Sequence, residues 1–199
     1  MNTYAGLYIF EGIDNVGKTT IIRALKERIQ GITKNDCVDI AFPGNEPRTL
    51  GNLVYQIHHQ GEQYFDMPIN EASLQLLHIA AHIDLIQRRL KPLMDSKCVI
   101  LLDRFWWSAY VYGLAGGLDD NIIQTIIRPE LLFWKEINIK KIFLLERNER
   151  LRDYDCDKEN VIIDQYRRLA EKELLCVKID NNGKLEETIN KIFNSIIGE

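Results

Sequence analysis

Five short apolar runs recur along the chain, and each is rich in Val, Ile, Leu or Phe without a strict alternation of apolar and polar positions. Strands that are buried on both faces show this pattern, because neither face of a central parallel sheet meets water. The pattern therefore predicts five strands, at Leu7–Phe10, Val38–Phe42, Cys98–Leu102, Lys141–Leu145 and Leu175–Ile179.

Segments with helical spacing separate these predicted strands. The last segment is the clearest, because apolar residues at positions 185, 189, 192, 193 and 196 form one stripe while charged residues occupy the other face. Strands that alternate with helices indicate right-handed crossovers and a parallel sheet covered by helices on both faces. No linker or internal repeat interrupts the alternation, so we expect one α/β domain over residues 1–199.

Composition narrows the possible classes of protein. The chain has 199 residues, of which 46% are hydrophobic and 27% are charged, values typical of a globular domain rather than a disordered chain or a membrane bundle. With 25 basic and 29 acidic residues the net charge is −4, which argues against broad binding to a nucleic-acid backbone. No apolar run approaches the roughly 20 residues of a membrane span, and the N-terminal residues lack the pattern of a secretory signal.

The four cysteines are far apart and form no C-x-x-C pair, which argues against a zinc ribbon. Cys98 and Cys176 fall within apolar runs, where a free cysteine behaves as a small core residue. We therefore expect reduced thiols and a cytoplasmic location.

The strongest chemical signal is the segment FEGIDNVGKTT, residues 10 to 20, which matches the pattern G-x-x-x-x-G-K-S/T between a predicted strand and a predicted helix. Its glycines let successive N–H groups point at a phosphate that also meets the positive end of the helix dipole. Lys18 would neutralise the β- and γ-phosphates, and the Thr19 hydroxyl would bind Mg²⁺. The alternative is an ordinary glycine turn. The predicted nucleotide-binding residues are Gly12, Asn15, Val16, Gly17, Lys18, Thr19 and Thr20.

Asp103 follows the third apolar run directly. A carboxylate at the end of a strand beside the first strand can hold Mg²⁺ or one of its waters, so Thr19 and Asp103 are the predicted metal-site residues. The alternative interpretation of Asp103 is the N-cap of the helix that follows.

Four motifs together resemble the thymidylate kinase family of nucleoside monophosphate kinases: FEGIDNVGKTT, FPGNEP at residues 42 to 47, LLDRFWWSAYVYG at 101 to 113, and ERNERLRDYD at 146 to 155. The order and approximate spacing hold across nearly the whole chain. The resemblance implies a P-loop kinase fold with a five-stranded parallel sheet and a short lid at about 146–158. It also implies transfer of the γ-phosphate of ATP, with Mg²⁺, onto a deoxynucleoside 5′-monophosphate, usually by a homodimer.

Arg104 and Asp14 are the predicted contacts for the acceptor nucleotide. An acceptor phosphate is already an anionic nucleophile, so the enzyme needs positioning and charge neutralisation more than a general base. Arg104 matches the position at which the family grips this phosphate, and its planar fork suits two phosphate oxygens. Asp14 matches a carboxylate near the sugar 3′-hydroxyl. The alternatives are a surface ion pair for Arg104 and a local loop cap for Asp14.

The lid is expected to supply a cation to the transition state. Between Gly12 and Lys18 the P-loop offers Asn15 and Val16 but no basic side chain. Members of the family place a catalytic arginine in either the P-loop or the lid, so the resemblance assigns this role here to Arg150 or Arg152. The alternative for such a mixed charge run is a solvated helix face.

The residues that would meet the base depart from the family pattern. The family has an aromatic residue at the position of His78 and an arginine at that of His82, while Phe42 remains as an aromatic wall. The family also has an arginine before its Glu-Pro pair, whereas in this chain Arg48 follows Glu46-Pro47. Tyr110, one helical turn beyond Trp106, is a further candidate for the acceptor site, although most such rings are core or interface residues. A metal site built on the two histidines lacks a third ligand. Two ordinary histidines on a half-buried helix are the alternative.

Several functions therefore compete. Thymidylate is the leading acceptor, with a modified pyrimidine nucleotide as an alternative. A deoxynucleoside kinase would need a carboxylate base after the second strand, a role open to Glu46. A GTP-dependent switch is disfavoured because the chain has no N-K-x-D signature.

Overall fold

The computed structural model describes residues 4–32, 36–44, 46–147 and 156–198, although the side chains of residues 156 and 157 are not described. Its five strands are β1 (Gly6–Glu11), β2 (Cys37–Ala41), β3 (Val99–Asp103), β4 (Ile139–Glu146) and β5 (Cys176–Asp180). All pairings are parallel and the strand order is β2-β3-β1-β4-β5. The predicted five-stranded parallel sheet is confirmed, with bounds that differ from the apolar runs by at most two residues.

The helices among the described residues connect successive strands, apart from the last helix, which follows β5. They are α1 (Lys18–Ile32), α2 (Leu50–His59), α3 (Glu71–Leu85), α4 (Lys91–Met94), α5 (Trp106–Ala115), α6 (Asp120–Trp134), α7 (Cys156–Lys172) and α8 (Leu185–Ile197). A π-helical turn at Ile86–Leu90 joins α3 to α4. In the part of the chain that the structure describes, no helix combines the length and the apolar character needed to cross a membrane.

Both faces of the sheet are buried. Alternate residues of β1 point to opposite sides: Leu7 and Ile9 pack with α5, α6 and α7, whereas Tyr8 and Phe10 pack with α1 and α8. The predicted stripe of α8 is confirmed at Ile189, Ile192, Phe193 and Ile196, although Leu185 at its first position is 42% exposed.

Strand β1 lies at the centre of the sheet, between β3 and β4. The chain leaves β1 and β3 at the same edge, because parallel strands all end on one side. Neighbouring parallel strands whose connections leave in different directions open a crevice at their carboxyl ends, and this crevice is the usual ligand site of an α/β sheet. The residues that follow β1 and β3 are therefore brought together.

Candidate active site

A glycine-rich loop joins β1 to α1 and forms the floor of the site. Gly12 and Gly17 have φ angles of 139° and 101°, which L side chains rarely adopt. A Cβ atom at Gly12 would also lie 2.5 Å from the carbonyl oxygen of Leu145 on β4. Glycine is therefore required here both for the turn and for the close approach to β4, as a phosphate-binding loop demands.

Lys18 begins α1 and folds back over this loop. Its Nζ donates hydrogen bonds to the carbonyl oxygens of Gly12, at 2.9 Å, and Ile13, at 2.8 Å, and the residue is 6% exposed. Burial and the nearby Arg104 charge lower the pKa of Lys18 to about 8, although Asp103, Asp14 and Glu11 act in the opposite direction. The ammonium group is thus held at the loop but can lose its proton in mildly alkaline solution.

We expect the activity of the free enzyme to fall as pH rises above 8. Since the pKa of Lys18 is lowered to about 8, the residue is protonated below that pH and neutral above it, and only the protonated form attracts phosphate. kcat/KM for ATP, measured from pH 6.5 to 10, should decline with an apparent pKa near that value. A profile that stays flat to pH 10 would contradict this assignment.

Asn181, directly after β5, stabilises the P-loop through a side-chain hydrogen bond. Its side-chain amide donates a 2.7 Å hydrogen bond to the carbonyl oxygen of Val16, and the residue is 5% exposed. The same Nδ2 atom would lie 2.9 Å from a Cβ atom at Gly17. The sequence motif does not include Asn181, because it comes from the opposite end of the chain.

Asn181→Ala is expected to raise KM for ATP severalfold and to lower the free energy of unfolding by about 1–3 kcal/mol, since it leaves a buried carbonyl without its donor. Thermal unfolding and ATP-dependent initial rates would measure both effects. Asn182→Ala, at the exposed neighbouring position, is the matched control and should change neither quantity appreciably.

Thr19 and Asp103 meet across the cleft between α1 and β3. The Thr19 hydroxyl donates a 3.0 Å hydrogen bond to Oδ2 of Asp103. The other carboxylate oxygen, Oδ1, is buried and has no hydrogen-bond partner among the described residues. The alternative role of Asp103 as a helix cap is not seen, because α5 begins after Phe105.

Arg104 follows β3 directly and contacts Asp14 of the P-loop. It has a φ angle of 75°, a left-handed conformation that costs a non-glycine residue about 1–3 kcal/mol and that recurs at functional sites. Its Nη2 forms an ion pair with Oδ1 of Asp14, its Nη1 donates to Ser108 Oγ at 2.9 Å, and its guanidinium lies 5.4 Å from the Tyr112 ring centroid. The structure thus brings together Asp14 and Arg104, two predicted acceptor residues.

Asp14 remains a carboxylate in this arrangement. Burial alone would raise the pKa of Asp14, but the charges of Arg104 and Lys18 outweigh it and leave that pKa lowered. Tyr112 contributes twice: its hydroxyl donates to Asp14 Oδ2 at 3.0 Å and accepts the Asp14 N–H at 3.2 Å.

Tyr112, and not Tyr110, joins this group. The Tyr110 hydroxyl donates to Asp120 Oδ1 at 2.6 Å, near the start of α6. The contacts of Tyr110 therefore place it beside α6 and not with Asp14 and Arg104. Ser108 and Tyr112 lie one helical turn apart on α5, so they share a face of that helix, whereas Arg104 precedes the helix.

Glu11 is a fully buried acidic group at the site, with 0% exposure. Its Oε1 accepts the backbone N–H groups of Phe105, at 2.7 Å, and Ser108, at 3.2 Å. Its Oε2 accepts the Ser108 hydroxyl at 2.9 Å and the Tyr166 hydroxyl at 3.0 Å. Burial raises the pKa of Glu11, although the Arg104 charge and the hydrogen bond from Ser108 oppose the rise.

His82 is a buried residue with two fixed partners. Its Nδ1 lies 2.9 Å from Oε2 of Glu130 on α6, whose other oxygen accepts from Trp134 Nε1 at 2.8 Å. The His82 ring stacks on Phe42, with centroids 4.3 Å apart. Phe42 is 4% exposed, so His82 covers part of the predicted aromatic wall.

His78 faces α2 and pairs with another histidine. Its Nε2 lies 2.9 Å from Nδ1 of His58, and His59 stacks on His58 at 4.9 Å, so all four histidines of the chain gather on α2 and α3. Burial, with smaller contributions from His82, His58 and Arg104, lowers the pKa of His78 to about 3. His78 is therefore neutral at physiological pH. The described residues contain no group of three or more metal-ligating side chains.

The remaining predicted residues have weaker or undescribed surroundings. Arg48 and Thr20 are exposed, Arg48 with a φ angle of 66° just before the N-cap of α2, Thr49. Glu46 forms an ion pair with Arg89, so the carboxylate that a deoxynucleoside kinase would need as a base is held by a surface arginine. Arg150 and Arg152 lie outside the described residues.

Comparisons with known proteins agree with this geometry. The thymidylate kinase of Blochmanniella pennsylvanica is 26% identical over 198 residues, covering 94% of this chain and 92% of that protein. That of Chlorobium limicola is 29% identical over 152 residues, covering 72% and 66%. Thymidylate kinase structures from Ehrlichia chaffeensis and Candida albicans share the fold, with TM-scores of 0.78 and 0.74, identities of 20% and 16%, and coverage of 96% and 97% of this chain and 98% and 91% of theirs.

The sequence model of the thymidylate kinase family matches residues 10–192, which include the P-loop, Asp103 and Arg104. This match extends over most of the chain and confirms the resemblance seen in the motifs. The chain therefore belongs to the thymidylate kinase family, nucleoside monophosphate kinases that use ATP to phosphorylate dTMP to dTDP.

Proposed function

We propose that this chain transfers the γ-phosphate of ATP to the 5′-phosphate of dTMP with Lys18 on the donor side and Arg104 on the acceptor side. The observation that carries the proposal is the position of Arg104, whose guanidinium lies against Asp14 inside the P-loop. A donor phosphate on the loop and an acceptor phosphate on Arg104 would then be neighbours.

Charge neutralisation and positioning are the work of this site. The acceptor phosphate attacks as an anion, so no proton has to be removed before the bond forms. Lys18 would attract the β- and γ-phosphates, and Arg104 would orient the acceptor through two parallel N–H bonds. Asp14, released from Arg104 by the incoming phosphate, would accept a hydrogen bond from the sugar 3′-hydroxyl.

Thr19 and Asp103 fit a magnesium ion. Oδ1 of Asp103 is buried without a hydrogen-bond partner among the described residues, and oxygen atoms of carboxylates and hydroxyls are the ligands that Mg²⁺ prefers. We propose that these two residues hold the ion directly or through water. When bound, Mg²⁺ supplies positive charge to the donor phosphates.

The base would meet imidazole groups carried by α3. His78 and His58 lie close to the acceptor residues. Burial is the largest cause of the lowered pKa of both histidines, and the Arg104 charge lowers both further. His82 is held from behind by Glu130 and rests on Phe42. We propose that His78, His82 and Phe42 form the base pocket, in which thymine hydrogen-bonds to imidazole nitrogen instead of to arginine.

An ADP-release assay over dTMP, dUMP, dCMP and thymidine tests the reaction and the acceptor together. We expect turnover with dTMP and none with Lys18→Ala. Phosphorylation of thymidine alone would contradict the proposal, since that reaction begins from a 5′-hydroxyl. Turnover confined to dUMP or dCMP would contradict the assignment of the base.

The predicted lid would supply the catalytic arginine of this reaction. Ala replacement of the catalytic arginine, Arg150 or Arg152, should lower kcat by about 10²-fold or more with little change in ATP affinity, because the cation acts on the transition state. The two single variants, assayed for kcat and for ATP binding by calorimetry, decide between them. If both keep near-normal kcat, the lid assignment is wrong.

We further propose a homodimer in the cytoplasm. Large apolar side chains are exposed on α2, on α3 and on the segment between them, including Leu53 at 45%, Met67 at 78% and Leu76 at 52%. The cysteines described in the structure are free, as a reducing compartment requires. Light scattering should give twice the 23.2 kDa of one chain. A mass of one chain at micromolar concentration would contradict the dimer.

A further inference from the structure

Glu11 is a buried carboxylate that the phosphoryl transfer itself does not use. It ends β1, and its four hydrogen-bond donors come from Phe105, Ser108 and Tyr166. Ionised carboxylates have capacity for about four hydrogen bonds, so this group is fully satisfied as an anion. A fully buried carboxylate with all of its hydrogen bonds made stabilises the fold and also fixes the positions of its donor groups.

Two hydrogen bonds to β1, one of them to the Glu11 carboxylate, fix the backbone around Arg104. Arg104 N donates to the carbonyl oxygen of Phe10 at 2.9 Å, and the next N–H group, that of Phe105, donates to Glu11 at 2.7 Å. The unfavourable left-handed conformation of Arg104 is therefore held from both sides by consecutive residues of β1. Such a conformation persists only where its surroundings determine it.

Ser108 links the Glu11 carboxylate to the guanidinium group of Arg104. The Ser108 hydroxyl has one hydrogen, which it donates to Glu11 Oε2 at 2.9 Å, and its lone pairs face Nη1 of Arg104, also at 2.9 Å. Glu11 thus orients the hydroxyl that accepts from Arg104. Removing the negative charge of Glu11 frees that hydroxyl to rotate and lets the guanidinium turn away.

Tyr166 brings α7 into this network. Its hydroxyl lies 3.0 Å from Glu11 Oε2 and 2.9 Å from Ser108 Oγ, and the residue is 2% exposed. A cavity of about 170 Å³ separates the P-loop from the start of α7, and Tyr166 forms part of its wall. The helix that follows the predicted lid therefore touches the group that orients Arg104.

We propose that Glu11 is a positioning residue for Arg104, acting through Ser108, and that Tyr166 couples this positioning to α7. The inference rests on the proposed function, because it assigns Arg104 to the acceptor phosphate. It adds that the placement of α7 influences how well the acceptor is aligned, through the buried side chains of Glu11, Ser108 and Tyr166. A purely structural role for Glu11 is the competing explanation.

Glu11→Gln tests the first part, since it keeps the size of the side chain and removes its charge. We expect kcat to fall by about 10²-fold and KM for dTMP to rise, with KM for ATP nearly unchanged. The reason is that a misplaced Arg104 guanidinium affects the alignment of dTMP and not the binding of ATP. In an Arg104→Ala background the same change should cost less than about 3-fold, since residues that act as a unit are not additive. Equal losses in both backgrounds would overturn the proposal.

Tyr166→Phe tests the second part and remains available if Glu11→Gln does not fold. It removes one hydroxyl group and should lower kcat with dTMP by roughly 5–10-fold, again only where Arg104 is present. Tyr8→Phe is the matched control, because Tyr8 is 1% exposed and donates to the Tyr4 carbonyl oxygen, remote from the site. If the two variants have the same kcat, α7 is not coupled to Arg104.

The wild-type assay separates this inference from the function on which it rests. Absence of dTMP turnover by the wild-type protein would overturn the function. Normal wild-type turnover with unaltered kcat in both Glu11→Gln and Tyr166→Phe would overturn only the positioning role. Calorimetric binding of dTMP to each variant gives a readout without turnover, and we expect weaker binding in Glu11→Gln.

Discussion

Arg104→Ala is expected to lower kcat for dTMP phosphorylation by about 10³-fold, the range seen when an arginine that contacts a transferring or accepting phosphate is removed. The guanidinium is mostly buried, is aligned by Ser108 and lies beside the P-loop, so its removal takes a fixed positive charge from this part of the site. Steady-state kinetics with dTMP and ATP, combined with dTMP binding, would measure the effect.

Arg104→Lys should recover only part of this loss. Lysine keeps the positive charge but not the planar pair of N–H donors, so we expect activity to remain about 10²-fold below wild type. Arg88→Ala is the control for loss of an arginine, because Arg88 is exposed and forms an ion pair with Asp84 one helical turn away. Near-normal kcat in Arg104→Ala would remove Arg104 from the acceptor site.

Lys18→Met is expected to abolish detectable turnover, a loss of about 10³-fold or more, because the donor phosphates lose their principal cation. Its effect on stability is predicted to be small. Burial lowers the pKa of Lys18 to about 8, so the folded state holds this charge at a disadvantage at neutral pH, and this disadvantage fades as pH rises through 8. Methionine removes it but leaves the carbonyl oxygens of Gly12 and Ile13 without a donor.

These two effects oppose each other and are each of order 1–3 kcal/mol, so the midpoint of thermal unfolding should move by only about a few degrees. Differential scanning calorimetry at pH 7 measures it alongside the activity. A fall of more than about 15 °C would show that Lys18 is needed to maintain the loop itself. The loss of turnover would then be a consequence of unfolding.

Much of the fold is visible in the sequence because the strands are central. A strand covered on both faces has to be apolar throughout, so Val99–Leu102 and Ile142–Leu145 stand out without any alignment. The ends of the strands are less visible. Glu11 extends β1 beyond its apolar run, and its charge makes it resemble the first residue of a loop.

The burial of Glu11 could not be predicted, since its partners are 94 to 155 positions away in the sequence. The pair His82–Glu130 could not be predicted for the same reason, because its members are 48 positions apart. Local patterns reveal which side chains share a helix face, but they do not show which distant carboxylate a helix will meet. Buried polar networks are therefore the part of this site that needs a structure.

Tyr112 is hidden from the sequence for a different reason. The aromatic cluster after Arg104 contains several candidate rings, and helical spacing alone does not show which ring faces the P-loop. Arg104 lies outside α5 with a left-handed backbone, so counting from Arg104 does not define a face of the helix. Ser108 and Tyr112 lie one helical turn apart and contact Arg104 and Asp14.

Arg104 carries its own counter-ion. Because Asp14 already occupies the guanidinium before an acceptor arrives, each incoming anion has to compete with a carboxylate fixed to the same loop. A chloride ion or an uncharged nucleoside competes poorly, whereas the doubly charged phosphate of a nucleotide competes well. In the proposed function, the ion pair would set a threshold for entry, and the exchange that admits the phosphate would also release Asp14 for the sugar. The Arg104–Asp14 pair would in this way favour a nucleotide over a nucleoside.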